Sequence, residues 1–556
     1  MPYSKQRSRE SRAAIERLYI TMRHLFIRGF YKPMGISGES LKEALLTLKP
    51  EIYGDITDPE RVELNGLLYV AERLPKGIEE CRFIQLVARE GFEQAGYTPF
   101  IPLKRRRNCY RIDKDRMYVE MSRGRSDIYD ILTHLTFLYI EAEKIKNHAI
   151  DQRGKTTDNW KQLAEVVTKL ENDKEIEEKQ ALVYLSNVLG RTVTETQVAV
   201  EGFKKSYRCN NLYHFAYWLG QLAIEESEDK PRREIKVSAK LREVVGHHVY
   251  GEVWATAIKR FLAEKDWLHR PIHIISANLH SVMNALYGFE ALKENKFENL
   301  MDLAEYTGAD KTGKAADVIQ KYAGKNGLYY LGDASGTNLS VQIIDSEKLD
   351  FAKLPYLKNY KTGDDNPVLI VMDYAFGEQA YECMDELLKP FEVENSTTPL
   401  NIQSINVMGK AGILEGKKGD LMIPTAHVFE GTADNYPFEN DLSPEDFQGS
   451  GIPIFSGPMI TVLGTSLQNR DVLQHFLTST WNAIGLEMEG AHYQKAIQSA
   501  AQIRKSISPD VKVRYAYYAS DNPLVTGSTL SSGSLGIEGV KPTYWITQKI
   551  LEKILS

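Results

Sequence analysis

The sequence predicts an α/β protein in two parts: an α-helical region over residues 1–265, followed over 270–556 by a domain with helices packed on a central, largely parallel sheet. Three observations predict it. Apolar residues in the first half recur at three- and four-residue steps, the period of a helix face. After Pro271 the pattern changes to short β-branched runs that end in small polar residues. These runs alternate with helical stretches, the order that builds parallel strands joined by crossover helices.

Taken in order, Ile15, Leu18, Tyr19, Met22, Leu25 and Phe26 mark one stripe of a helix between Ser11 and Phe30. A second stripe runs through Ile128, Ile131, Leu132, Leu135, Leu138, Tyr139, Ala142 and Ile145. Lys161 to Lys205 and Ser238 to Leu262 mix Leu, Val and Ala with Glu, Lys and Gln and contain almost no Pro or Gly, which predicts further helices. PIHIISAN (271–278) then reads as a buried strand with a functional loop at its end. A helical insertion is expected at about 295–330. NPVLIVMDYAFGEQAYECMDELL predicts strand, glycine turn and helix, and SINVMGKAGILEGKKGDLMIP predicts strand, Gly-rich loop and strand. MITVLG, the helix-like GLEMEGAHYQKAIQSAAQI, the strand VRYAYYAS and a final amphipathic helix in YWITQKILEKIL complete the chain.

Composition bounds the function. The 556 residues are 42% apolar and 26% charged, too apolar for a disordered chain. Lys and Arg number 69 against 75 Asp and Glu, a net charge of −6, so charge makes no case for a nucleic acid or a membrane surface as partner. Cys81, Cys109, Cys209 and Cys383 stand far apart without a CxxC pair, which argues against a disulfide framework or zinc knuckle. The N-terminal stretch lacks the apolar core of a signal peptide, and a cytoplasmic location is expected.

Several segments hold residue types that carry chemistry. GADKTGKA (308–315) has the glycine and lysine spacing of a phosphate loop, but Ala315 replaces the hydroxyl and the segment follows a helix. His247 and His248 each have a carboxylate four residues away, Glu243 and Glu252, which reads as helix pairing rather than metal ligation. No metal is expected. His134, on the edge of an apolar stripe, reads as a packing residue. Residues 101–125 carry nine Lys or Arg against three Asp or Glu. A solvated basic face is the plain reading, and the sharper one is an anion site in which Arg105, Arg106, Arg107, Arg123 and Arg125 hold a phosphate. GLEMEG places Glu487, Met488 and Glu489 at a helix start, where acidic residues also serve as caps. YYASDNPL puts Ser520 at the end of a buried strand and Asp521 just past it. A carboxyl group there suits general acid work if burial raises its pKa.

In this order, GKAGIL (409–414), KGDLMI (418–423), GLEMEG and ASDNPL resemble the nucleoside phosphorylase and nucleosidase superfamily, and within it AMP nucleosidase and methylthioadenosine nucleosidase. DYAFGEQA, with Gly377 at its turn, and PIHIISANLHSV look like further pieces. The resemblance covers about 270–556. It implies cleavage of the N-glycosidic bond of a purine nucleoside or 5′-nucleotide, without a cofactor and in a homo-oligomer. Carried over position by position, it makes Asp521 the acid that protonates the departing base, Glu489 the carboxylate on the ribose hydroxyls, and Met488 the apolar floor under the sugar. Glu487, Gly409, Lys410, Ala411, Gly412 and Ser520 would line the site. Where methylthioadenosine nucleosidases hold a water-activating Glu, this chain has Asn278, His280 and Ser281. The phosphate-binding arginines of the phosphorylases are missing, which favours hydrolysis. The alternatives are a phosphorylase that uses Lys410 for phosphate, and a binding or regulatory protein of the same fold without catalysis.

Overall fold

The computed structural model describes residues 2–206, 209–228, 230–357, 366–393, 396–432, 434–525 and 536–555. The chain divides into two compact units, Met1–His247 with Gly464–Val472, and His248–Leu463 with Leu473–Ser556.

The first unit is not all helical. Helices Pro2–Arg28 and Gly124–Ala149 bury the two predicted stripes, and Asp158–Glu171, Glu178–Leu189, Val193–Lys205 and Leu212–Ser227 follow. Beside them lies a five-stranded sheet of β1 (Phe30–Tyr31), β2 (Phe83–Val87), β3 (Cys109–Arg111), β4 (Arg116–Glu120) and β5 (Glu234–Val237), in the order β1-β5-β2-β4-β3. No strand exceeds five residues. Runs that short carry too few alternations to stand out from helical neighbours, which is why the helical reading passes over them. The helix also breaks at His247 and His248, the latter at φ 55°, so Glu243, the two histidines and Glu252 do not share the one continuous helix that was expected.

The second unit is built on a ten-stranded sheet of β6 (Ile272–Ser276), β7 (Leu328–Leu331), β8 (Val341–Asp345), β9 (Val368–Met372), β12 (Ile402–Ile413), β13 (Leu421–Phe429), β14 (Asn435–Pro437), β15 (Ile454–Thr461), β16 (Gly485–Glu487) and β17 (Lys512–Asp521). A separate hairpin pairs β10 (Phe391–Val393) with β11 (Ser396–Thr398). Successive side chains leave a strand on opposite faces. Ile274 and Ile370 therefore pack with helices Val249–Glu264, Gln379–Leu387 and Gly490–Gln498, whereas Ile275, Leu369 and Val371 pack with Leu279–Ala291, Leu300–Ala309, Lys314–Lys325 and Val540–Leu555. The result is a sheet between two helical layers.

The sheet is mixed rather than largely parallel. β9, β6, β12 and β17 pair in parallel, as do β13, β15 and β16, but β12 meets β16 and β13 meets β17 in antiparallel pairs. The strands β13, β15, β16, β12 and β17 thereby close into a ring. The segment 295–330 is part of this body: Leu303, Ile319 and Ala323 lie in the core, and β7 extends the sheet through β8, a strand the sequence reading omits.

Candidate active site

The predicted Gly-rich loop is strand. β12 keeps its parallel register with β17 through Gly409, Lys410 and Ala411, opposite Tyr517, Tyr518 and Ala519, and bulges between Ala411 and Gly412. The glycines do not break the strand because β17 holds the backbone at Gly409 and β17 and β16 flank it at Gly412. Gly412 is opposite Asp521 on β17 and opposite Leu486 on β16. Strands lie about 4.8 Å apart, so Asp521 and the Leu486–Glu487 pair flank one residue across at most about 10 Å.

Asp521, the last residue of β17, is 1% exposed. Ser520 Oγ donates to Asp521 Oδ1 at 2.6 Å and lies 3.1 Å from the Ala411 carbonyl oxygen, while Asp521 Oδ2 is buried without a hydrogen-bond partner. Burial pushes the Asp521 pKa up to about 6, against the opposing pull of the Ser520 hydroxyl and the Lys410 ammonium. Lys410 itself is exposed at the end of β12.

The two glutamates of GLEMEG do different work. Glu487 ends β16, and its Oε2 accepts hydrogen bonds from the N–H groups of Glu489 and Gly490, so Glu487 is the acid that satisfies the start of the Gly490–Gln498 helix. Thr461 Oγ1, at the end of β15, donates to Glu487 Oε1 and accepts from the Ala491 N–H. Burial, and then the charge of Glu489, push the Glu487 pKa up to about 8. Glu489 is released from capping. It is half-buried, and its Oε1 accepts a 2.8 Å hydrogen bond from the Gly377 N–H of the DYAFGEQA turn, where Gly377 adopts φ 56°. Met488 is buried between them.

The glycines of the motif are packing requirements. A Cβ on Gly485 would come within 2.6 Å of the Gly412 oxygen, and one on Gly490 within 2.4 Å of His427 Nε2. His427, on β13, is fully buried, stacked on Phe438 with centroids 5.2 Å apart, and burial holds its pKa down at about 3, so the ring is neutral. Sequence reasoning missed Thr461, which sits in a segment that reads as a plain strand, and His427, which lies on the part of β13 beyond the segment read as strand. Tyr493, on the Gly490–Gln498 helix with its hydroxyl 3.0 Å from Ser276 Oγ, was also missed.

At the end of β6, Asn278 caps the Leu279–Ala291 helix: its Oδ1 accepts from the Ser281 N–H at 2.8 Å. His280 is exposed on the first turn of that helix. The GADKTGKA loop folds onto its own acid, with Asp310 accepting from the N–H groups of Thr312 and Ala315.

The basic stretch 101–125 belongs to the first unit and is in part an internal ion-pair network. Arg105 forms two 2.9 Å hydrogen bonds to Asp130, and Arg107, 1% exposed, bonds Asp127 and Asp130. Carboxylates thus fill the guanidinium forks that were expected to take a phosphate, because buried charges must be paired where they sit. Arg106 is exposed, and Arg123 and Arg125 are half-buried. Among the described residues no helix is long and apolar enough to cross a membrane.

Among solved structures, the chain is similar to a 5′-methylthioadenosine/S-adenosyl homocysteine nucleosidase from Campylobacter jejuni (14% identity, TM-score 0.32, covering 51% of this chain and 99% of that one). It is also similar to the futalosine hydrolase of Helicobacter pylori (11%, TM-score 0.32, 51% and 98%) and to the uridine phosphorylase of Schistosoma mansoni (12%, TM-score 0.31, 51% and 87%). No curated relative matches the sequence. A family model described as a family of unknown function, DUF6909, matches residues 39–330 and 301–556, and the chain belongs to that family.

Proposed function

We propose that the second unit hydrolyses the N-glycosidic bond of a purine nucleoside or 5′-nucleotide. The observation that carries this reading is a pair of unlike carboxyl groups, Asp521 at the end of β17 and Glu489 at the start of the helix that follows β16. Asp521 is buried, has one oxygen without a partner and keeps its proton to a higher pH than an ordinary Asp, whereas Glu489 is half-buried and oriented by a backbone N–H. Cleavage of such a bond passes through a cationic sugar and a departing base that needs a proton. Asp521 delivers that proton. Glu489 holds the ribose hydroxyls, and its charge complements the developing cation, with Met488 beneath the sugar. Glu487 sets the geometry by fixing the helix start. Lys410, Ala411, Ser520, Asn278 and His280 are placed by the proposal along the substrate.

The exposed ammonium of Lys410 near Asp521 favours one second reading, phosphorolysis with Lys410 as the phosphate ligand. Release of free base from adenosine and AMP, followed chromatographically with and without inorganic phosphate, separates the two. Hydrolysis proceeds in both buffers and phosphorolysis only with phosphate. Absence of base release in either, across a panel of purine nucleosides and nucleotides, rejects catalysis and leaves a binding protein.

A further inference from the structure

Tyr493, Tyr515 and Tyr517 are buried in one core cluster of the second unit, and two of the three hydroxyls have partners. The Tyr515 hydroxyl donates to Gln494 Oε1 at 3.1 Å, and that of Tyr493 lies 3.0 Å from Ser276 Oγ. Tyr517 is 4% exposed, and its hydroxyl oxygen is buried with no hydrogen-bond partner. A buried phenol ordinarily finds a partner, because an O–H taken out of water otherwise loses the hydrogen bonds that water gave it. The Tyr517 hydroxyl is therefore suited to a partner that the chain does not supply.

Its position ties it to the candidate site. Tyr517 precedes Asp521 on β17 and is paired with Gly409 on β12. No side chain fills the space over that glycine: the point a Cβ would occupy is 3.7 Å from Tyr374 Cε1 and 3.9 Å from Tyr517 Cδ1, so the two rings border it. Tyr374 belongs to the turn after β9 whose Gly377 N–H holds Glu489. Tyr517 also meets the His427 ring edge-on, with centroids 6.2 Å apart, and His427 lies against Gly490, the residue next to Glu489. Burial, and then the neighbouring Glu487, Tyr515 and Glu489, push the Tyr517 pKa well above that of an ordinary phenol, so the hydroxyl keeps its proton and is a donor. An ionised carboxylate only accepts. A sugar hydroxyl does both, and can take the Tyr517 hydrogen bond while giving its own proton to Glu489. An ammonium group has no acceptor and a phosphate dianion no donor, so neither satisfies both.

We propose that Tyr517 is a substrate-binding residue whose hydroxyl donates to a ribose hydroxyl held by Glu489, so that the site selects ribosides over their deoxy counterparts. The inference rests on the reading of the second unit as an N-ribosyl hydrolase and deepens it. The test is calorimetric binding of adenosine and AMP, each beside its 2′-deoxy and 3′-deoxy counterparts. The full chain carries Asp521→Asn, which keeps the ligands intact, with and without Tyr517→Phe. Tyr517→Phe should weaken riboside binding about three- to tenfold, and the deoxy counterpart that lacks the hydroxyl Tyr517 touches should bind both chains alike. The same substitution should melt no lower, since it removes a buried hydroxyl without a partner, whereas lost packing would lower the melting temperature. Equal riboside affinity of the two chains overturns the proposal. So does an equal loss across the ribosides and both deoxy series, which with a lower melting temperature makes Tyr517 a packing residue. A chain that shows the expected contrast yet releases no base with Asp521 intact overturns the hydrolytic reading and supports this inference as a property of a binding site. A chain that binds none of these ligands overturns both.

Discussion

The Gly377 N–H donates a 2.8 Å hydrogen bond to Glu489 Oε1, joining the turn after β9 to the start of a helix more than a hundred residues later. Glu487 takes over the capping of that helix, and the Glu489 carboxylate is turned to the Gly377 turn instead. A neutral isostere isolates the charge. Glu489→Gln should lower kcat by at least tenfold with a smaller change in KM, since the charge acts on the cationic transition state. A variant with normal kcat and raised KM would make Glu489 a positioning group only.

Asp521 gives the larger effect. Asp521→Asn keeps the shape and a hydrogen-bond donor but cannot transfer a proton to the base. Base release should fall on the order of 100- to 10,000-fold while equilibrium binding of the substrate survives. Parent-level turnover would make Asp521 a turn residue.

The pH dependence follows from the same group. With a pKa near 6, Asp521 is mostly protonated below that pH and mostly ionised above it. Activity should therefore decline as pH rises through about 6, with the limb absent from Asp521→Asn. Stability carries the same sign: the folded pKa is raised above the unfolded value near 3.9, so stability is lost as pH rises from about 4 to 6. Asp521→Asn should melt higher than the parent at pH 7 and equally at pH 4, by thermal scans.

Glu487 should behave as a brace. With a pKa near 8 it is largely neutral at pH 7. Glu487→Gln retains an acceptor for the helix start and a partner for Thr461, and should fold with a change within about 1 kcal/mol. Glu487→Ala leaves the Glu489 and Gly490 N–H groups buried without partners and should cost about 2–4 kcal/mol, read by denaturant unfolding.

Arg107 tests the internal network of the first unit. Arg107→Ala strands Asp127 and weakens the charge balance of Asp130 in the interior. The expected loss is about 3–5 kcal/mol, seen as an early unfolding transition. Replacement of exposed Arg106 by Ala should move the transition by less than about 0.5 kcal/mol.

Local chemistry made much of this legible. The stripe from Ile128 to Ile145, the buried strand ending at Ser276 and the Asp at the end of VRYAYYAS are all period and position effects, which a linear sequence carries in full. The order of the GLEMEG and ASDNPL segments likewise singled out Glu489 and Asp521 before any coordinates. Tertiary structure decided what depends on neighbours remote in sequence. Which glutamate caps the helix was settled by Thr461 and Gly377, and the Gly-rich segment became strand because β17 and β16 hold its backbone. Arg105 and Arg107 turned inward because Asp127 and Asp130 wait on the next helix, and Tyr374, Gly409 and Tyr517 come together only where three elements meet. A hydrogen bond or ion pair is set by distance in space, and no spacing along the chain encodes it.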